Sequence, residues 1–324
     1  MSTAGDSIVE YASEGIDTVR TALSSYTLRA NVENLAYTGS GGFAGAGNTL
    51  DNRITGGTAA ASTLVGYAGS DTYVVGNAGD SIVEAGGGGT DTVETGLGIY
   101  VLRAANVENL TGTSNAGQQL RGNDLGNVIA GGTGIDTMVG LLGDDTYVVR
   151  NSGDTIVEAA GQGTDTVETA LGLYVLNAAN VENLTYTGTG SFIGVGNTLD
   201  NVITGGAASD DYLYAGAGAD TLIGGAGNDV FLVNEAINGV DTLLDFTPGS
   251  DRIFINDDAF PRTPVVSLAQ GTDPAPANSN STLLYDSDTG ELAFDADGDG
   301  AGAAVLFAIL PSGLTLSVAD FVFY

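Results

Sequence analysis

The chain has no cysteine and no histidine, and its eight basic residues are all arginine. Without cysteine there are no disulfides and no thiolate chemistry. Without histidine the commonest general base and the commonest transition-metal ligand are both missing. Proline is absent from residues 1–234, and all six prolines lie between Pro248 and Pro311, which marks a change of composition near residues 235–247. No apolar run reaches membrane-spanning length, and the residues after Met1 lack the basic stretch and apolar core of a cleaved signal peptide. His-Glu-x-x-His, Ser-His-Asp and phosphate-loop patterns are absent too. These gaps leave few routes to catalysis and predict a protein that is not an enzyme. Carboxylate pairs acting on a polysaccharide are the remaining route.

What the chain has in excess is negative charge. Forty acidic residues against eight arginines give a net charge of −32. Such a surface repels nucleic acid and anionic membrane. It also repels itself unless cations neutralise it. Since 43% of the residues are hydrophobic, permanent disorder is not expected. Folding conditional on a cation reconciles the two.

The same text is written three times. Gly5-Asp6-Ser7-Ile8-Val9-Glu10 returns as Gly79 to Glu84 and again as Gly153 to Glu158, in steps of 74 residues. A fixed period of this length predicts stacked units that complete one another's core. Within the units lie lines spaced by nine. Gly131-Gly132-Thr133-Gly134-Ile135-Asp136-Thr137-Met138-Val139 and Gly224-Gly225-Ala226-Gly227-Asn228-Asp229-Val230-Phe231-Leu232 both fit G-G-x-G-x-D-x-U-x, where U is a large apolar residue.

Glycines permit tight turns that aim several carbonyl oxygens at one spot, and the aspartate closes the cage. Calcium takes six to eight hard oxygens, which suits such a turn. The candidate calcium ligands are Asp71, Asp80, Asp136, Asp145, Asp154, Asp211, Asp220 and Asp229, with the turn glycines Gly131, Gly132, Gly134, Gly218, Gly224, Gly225 and Gly227. Two places after the aspartates, Leu64, Tyr73, Met138, Tyr147, Leu213, Leu222 and Phe231 are expected to point into the core, Leu64 following Ser62 at the aspartate position. Asp17, Asp91 and Asp165 fall off the nine-residue register and read as turn residues. A further recurrent segment, Tyr26 to Leu35 with copies from Tyr100 and Tyr174, reads as a longer coil whose Leu and Val enter the core while its Asn satisfies turn backbone.

On these nonapeptides the chain resembles the repeats-in-toxin (RTX) family of secreted calcium-binding proteins. The resemblance implies an all-β fold: a right-handed parallel β-roll, or β-solenoid, over residues 1–234, with a small β-rich C-terminal cap over 235–324. It implies two nonapeptides per turn of the roll, so that a unit of 74 residues is close to four coils. Some thirteen coils at about 4.8 Å each would then span on the order of 60 Å. It couples residues eighteen apart: Asp136 with Asp154, Asp211 with Asp229, Asn127 with Asp145, and Asp220 with Asn238. The first unit departs from the pattern, because Ser62 faces Asp80.

The segment Gly239 to Ile253 resembles the C-terminal region of RTX proteins, including the one that follows the catalytic domain in serralysin-type proteases. Asp295-Ala296-Asp297-Gly298-Asp299-Gly300 opens like an EF-hand loop, but Leu306 stands where the closing Glu belongs, so a capping turn is expected. Val318 to Tyr324 resembles the uncleaved signal by which RTX proteins leave Gram-negative bacteria through a one-step (type I) exporter. The resemblance therefore implies an extracellular or cell-surface location, calcium and the secretion machinery as partners, and folding outside the cell. An N-terminus that starts inside a repeat presents open strand edges, which favour end-to-end or lateral stacking into a homo-oligomeric filament or surface layer. A monomeric adhesin or carbohydrate-binding module is the alternative.

Overall fold

The computed structural model describes residue 6 and residues 8–233, 239–264 and 266–324. The expected partner of Asp220, Asn238, and the start of the expected 235–324 cap lie outside the described residues. Two compact units divide the chain, Met1–Asp165 and Thr166–Tyr324. Both are parallel β-solenoids made of strands three to five residues long, and among the described residues the only helical turn is Val318–Asp320.

Short strands follow from the text. Runs such as Thr146–Val149, Thr-Tyr-Val-Val, are rich in β-branched and aromatic residues and alternate half-buried with buried positions. Gly, Asn and Asp end each run after one strand's length and turn the chain. Each coil then lays its strand parallel on the previous one. In the first unit, strands begin at Thr18, Asn34, Arg53, Thr72 and Thr92, so four coils separate Thr18 from its counterpart 74 residues later.

Registered stacking builds the core. In the first unit one inward column runs Val19, Leu35, Ile54, Tyr73, Val93, Leu110, Ile129, Tyr147. In the second unit the column is Val167, Leu184, Ile203, Leu222, Leu243. All of these are buried, as are Leu64, Met138, Leu213 and Phe231 on the opposite face. The seven inward positions expected two places after the nonapeptide aspartate position are therefore core. The Tyr26-type segments likewise bury Leu28, Val32 and Leu35, then Leu102, Val107 and Leu110, then Leu176, Val181 and Leu184.

The opposite face is interrupted in the first unit. Strands Ser25–Thr27, Phe43–Ala46, Ser62–Val65 and Ser81–Val83 form one sheet, and Ile99–Val101, Gln119–Arg121, Thr137–Val139 and Thr155–Val157 another. Between Ser81–Val83 and Ile99–Val101 lies a groove of about 470 Å³ lined by Asp80, Ile82, Tyr100, Arg103 and their neighbours. In the second unit, parallel pairing gives way to an antiparallel run, Thr282–Asp286, Glu291–Asp295 and Val305–Ile309. There the Asp295 to Gly300 stretch is a turn in which Asp297 accepts from the Gly302 amide at 3.0 Å. Phe321–Phe323 pairs in parallel with Arg252–Ile255.

Because the columns are continuous, truncating an inward side chain leaves a cavity that neighbouring coils cannot close. Leu64→Ala is expected to cost about 2–5 kcal/mol, whereas Ile135→Ala, at an exposed position, should stay within about 0.5 kcal/mol. Denaturant unfolding of the calcium-saturated variants measures both.

Candidate metal centre

A parallel coil leaves the backbone amides at its corner without a partner in its own strand, and carboxylates of the following coil supply one. In the first unit, the Asn52 amide donates to Asp71 Oδ1 at 2.7 Å, the Asp71 amide to Asp91 Oδ1 at 2.8 Å, and the Asp91 amide to Glu108 Oε2 at 2.8 Å. Further along, Asn127 donates to Asp145 Oδ1 at 2.6 Å and Asp145 to Asp165 Oδ1 at 2.8 Å. The other corner repeats the device with Gln118 to Asp136 at 2.7 Å, Asp136 to Asp154 at 2.9 Å, and Ser62 to Asp80 at 2.7 Å.

The second unit has the same two ladders. Asn201 donates to Asp220 at 2.6 Å and Asp220 to Asp241 at 3.1 Å. On the other corner the rungs are Phe192 to Asp211 at 2.8 Å, Asp211 to Asp229 at 2.9 Å, and Asp229 to Asp251 at 3.0 Å. Each rung is a charge-assisted hydrogen bond, a class worth about 1.5–3 kcal/mol.

A rung uses one carboxylate oxygen, and the fate of the other separates two kinds of aspartate. The Oδ2 atoms of Asp71, Asp136, Asp145, Asp220 and Asp229 are buried without a hydrogen-bond partner. Those of Asp80, Asp154 and Asp211 are consumed by their own turns: Asp80 accepts from Asn77 at 3.1 Å, Asp154 from Asn151 at 3.1 Å, and Asp211 from Gly206.

The glycines make room for this arrangement. A side chain at Gly131 or Gly224 would press on the Asp136 or Asp229 carboxylate, and one at Gly132, Gly134, Gly218 or Gly227 would run into backbone of the preceding coil. At Gly225 both constraints meet: φ is +93°, and a Cβ would collide with the Gly206 carbonyl.

Electrostatics mark the orphaned oxygens as incomplete. Burial, reinforced by neighbouring acids, pushes the Asp71, Asp145 and Asp220 carboxyls up to about 7 and Asp229 up to about 6. Asp91 and Asp241 are raised to about 6 by the same desolvation. A buried acceptor with nothing to accept from, beside like charges, is what a bound cation relieves. The donors are all hard oxygens, with no nitrogen or sulfur ligand, which suits calcium and disfavours soft transition metals.

The model for the RTX calcium-binding nonapeptide repeat matches residues 121–156 and 195–231, in four copies. Those spans contain Asp136, Asp145, Asp154, Asp211, Asp220 and Asp229. Over those spans the chain carries RTX calcium-binding repeats. Calcium is the ion such repeats bind, and the unpaired oxygens fit it. The chain is also 48% identical over 73 residues to the endo-1,3-1,4-beta-glycanase ExsH of Rhizobium meliloti (strain 1021), and 43% identical over 70 residues to EglC of the same strain, which carries the same enzyme name. Each likeness covers 22% of this chain, and the chain spans only 15% and 14% of those two proteins.

Reading the sequence missed Asp91 and Asp165. Both are rungs, not ordinary turn residues. They sit twenty residues after Asp71 and Asp145 because the coil there is two residues longer than eighteen, which takes them off the nine-residue register. Glu84 and Glu158 were missed as well. One oxygen of each lies within 4.8 Å of oxygens from Asp71 and Asp91, or from Asp145 and Asp165. The signal available was that Glu closes all three copies of the 74-residue repeat motif. Asn127, suggested as an oxygen ligand, has its amide oxygen engaged by the Asn123 amide at 2.8 Å.

Protons and calcium compete for these oxygens, so the sign of the pH dependence should reverse with the metal. In chelator, the buried carboxyls titrate near 7 when folded against 3.8 when unfolded. The folded state then holds the extra protons, and stability falls as pH rises from about 4 to 7 and levels off above. In saturating calcium the ions hold the carboxylates charged, and stability is lost instead as pH falls. Thermal unfolding across pH, with and without calcium, tests this. Asp145→Asn keeps an acceptor for the Asn127 amide and removes the charge; it should raise the pH at which the fold is lost in chelator and lower stability in calcium.

Proposed function

We propose that this RTX chain is a secreted structural solenoid that folds when it meets extracellular calcium and then associates with copies of itself. The observation that carries the reading is the set of buried aspartates with one oxygen tied to the neighbouring coil and the other unpaired. Without a cation, these groups oppose folding at neutral pH; with one, they staple successive coils. Cytosolic calcium is too scarce to fill weak turn sites, and extracellular calcium is abundant enough. Export in the unfolded state agrees with the C-terminal segment: Phe321–Phe323 is a paired strand once folded, so an exporter would read it only beforehand.

Self-association is supported by an apolar stripe on the second unit. Leu173, Ile193 and Tyr212 lie in register on adjacent strands and are 56%, 44% and 47% exposed. Val175, Val195 and Tyr214 line up beside them. A contiguous row of this kind suits lateral packing against another copy.

A second reading, a monomeric glycan-binding module without catalytic activity, is favoured by the groove at the sheet break. Tyr100, Arg103 and Asp80 line it, a mixture of aromatic face and hydrogen-bonding groups suited to sugars. The likeness to two proteins named as glycanases points the same way.

Circular dichroism and light scattering during a calcium titration from chelator to the millimolar range separate these readings. The structural reading expects strand signal to appear with calcium and scattering to grow into ordered particles, with Tyr212→Ser reducing the particles and leaving the strand signal. Folding to a stable monomer that binds a 1,3-1,4-β-glycan would favour the module. Folding in chelator at neutral pH would overturn the calcium-dependent reading.

A further inference from the structure

The first unit gathers three carboxylates at two places that the nonapeptide pattern does not define. Asp71, Glu84 and Asp91 form one group, and Asp145, Glu158 and Asp165 form the other, with the oxygens of each group within 4.8 Å of one another. The aspartates are buried, and Asp71 Oδ2 and Asp145 Oδ2 have no hydrogen-bond partner. Into each cluster a fully buried phenol projects from the core column: Tyr73 donates to Glu84, and Tyr147 to Glu158. The cradle is kept open by Gly66 and Gly140, where an added Cβ would strike both the aspartate Oδ2 and the tyrosine oxygen.

We propose that these two triads are cation sites of a second kind, each holding one hard cation of calcium's size between the two aspartates and the glutamate, with the tyrosine hydroxyl fixing the glutamate's orientation. The proposal rests on reading the aspartate ladders as calcium sites, and it adds a ligand type that the nonapeptide lacks. Three carboxylates with one unpaired buried oxygen can offer a cation more charge and more oxygens than an aspartate rung alone. The glutamate comes from the end of the repeated Gly-Asp-Ser/Thr-Ile-Val-Glu strand, and the second aspartate from the lengthened coil that follows. That coupling accounts for the glutamate and the two extra residues recurring together. The second unit supplies a contrast: Leu222 stands where the tyrosines stand, and among the described residues no third carboxylate joins Asp220 and Asp241.

Calcium titration calorimetry on the full chain tests the count. Glu84→Gln and Glu158→Gln should each remove one bound ion and the double variant two, while the remaining ions still fold the protein by circular dichroism. An unchanged ion count in the double variant overturns the proposal and leaves the ladder sites standing; a wild-type chain that binds no calcium overturns the underlying reading instead.

Terbium provides a second readout that needs no carboxylate change, because an excited tyrosine beside the ion sensitises its emission. Tyr73→Phe/Tyr147→Phe keeps all six acids and should bind the same number of ions. Its tyrosine-excited terbium emission over the first two equivalents should drop to background. Emission that persists unchanged in that variant also overturns the proposal, and this readout decides the matter if the double glutamine variant does not fold.

Discussion

The structure depends on a carboxylate oxygen receiving a backbone amide from the coil before it. Parallel strands this short make few hydrogen bonds of their own, and the corners between them would otherwise leave amides buried and unmet. An aspartate or glutamate of the next coil satisfies that amide and sets the spacing of the coils, and at Asp71, Asp136, Asp145, Asp220 and Asp229 it leaves a second oxygen at the corner. From Asn52 through Asp71 and Asp91 to Glu108, the chain uses two kinds of acid for one task, with the longer glutamate on the shortest of these coils.

The same device explains the composition. Because the ladders place an acid at most of their corners, charge accumulates along the solenoid, and few arginines offset it. Arg53 pairs with Glu94 at 2.6 Å on the solvent face, away from the corners. The buried acids are therefore left for a mobile cation, and their raised titration in its absence is the cost of carrying them into the core corners. Glycine is the other half of the solution, since the corner is too crowded for a side chain between carboxylate and preceding carbonyl.

Much of this was legible in the sequence. The inward positions Leu64, Tyr73, Met138, Tyr147, Leu213, Leu222 and Phe231 could be read because a strand of one turn's length fixes which residue faces in. The role of the Tyr26-type segments was partly legible: their Leu and Val are core, and Asn48, Asn123 and Asn197 at the following turns bracket neighbouring backbone. Their Glu33 and Glu108 were not, since a glutamate that accepts the Asp17 or Asp91 amide looks like any solvent-facing acid in one dimension. Asp91 and Asp165 escaped for a geometric reason. A nine-residue rule assumes equal coils, and a ladder requires only that the acid arrive at the right corner. The difference between Asp136, with an unpaired oxygen, and Asp154, whose second oxygen closes its own turn, also depends on three-dimensional placement that two identical register positions do not encode.

The ladder has a direction. Every ladder rung runs from an amide in one coil to an acid in the next, while the exposed amides of Ser70, Thr164, Ala219 and Asn228 return bonds to acids of the preceding coil. Loss of a coil takes the ladder acceptor from the coil before it and an exposed acceptor from the coil after it. At the ladder corners two cut faces of the same solenoid are thus chemically unlike: one shows acids with nothing to receive, the other amides with no acceptor. A stack built this way is polar like a zip, and growth or fraying at its two faces should proceed at different rates.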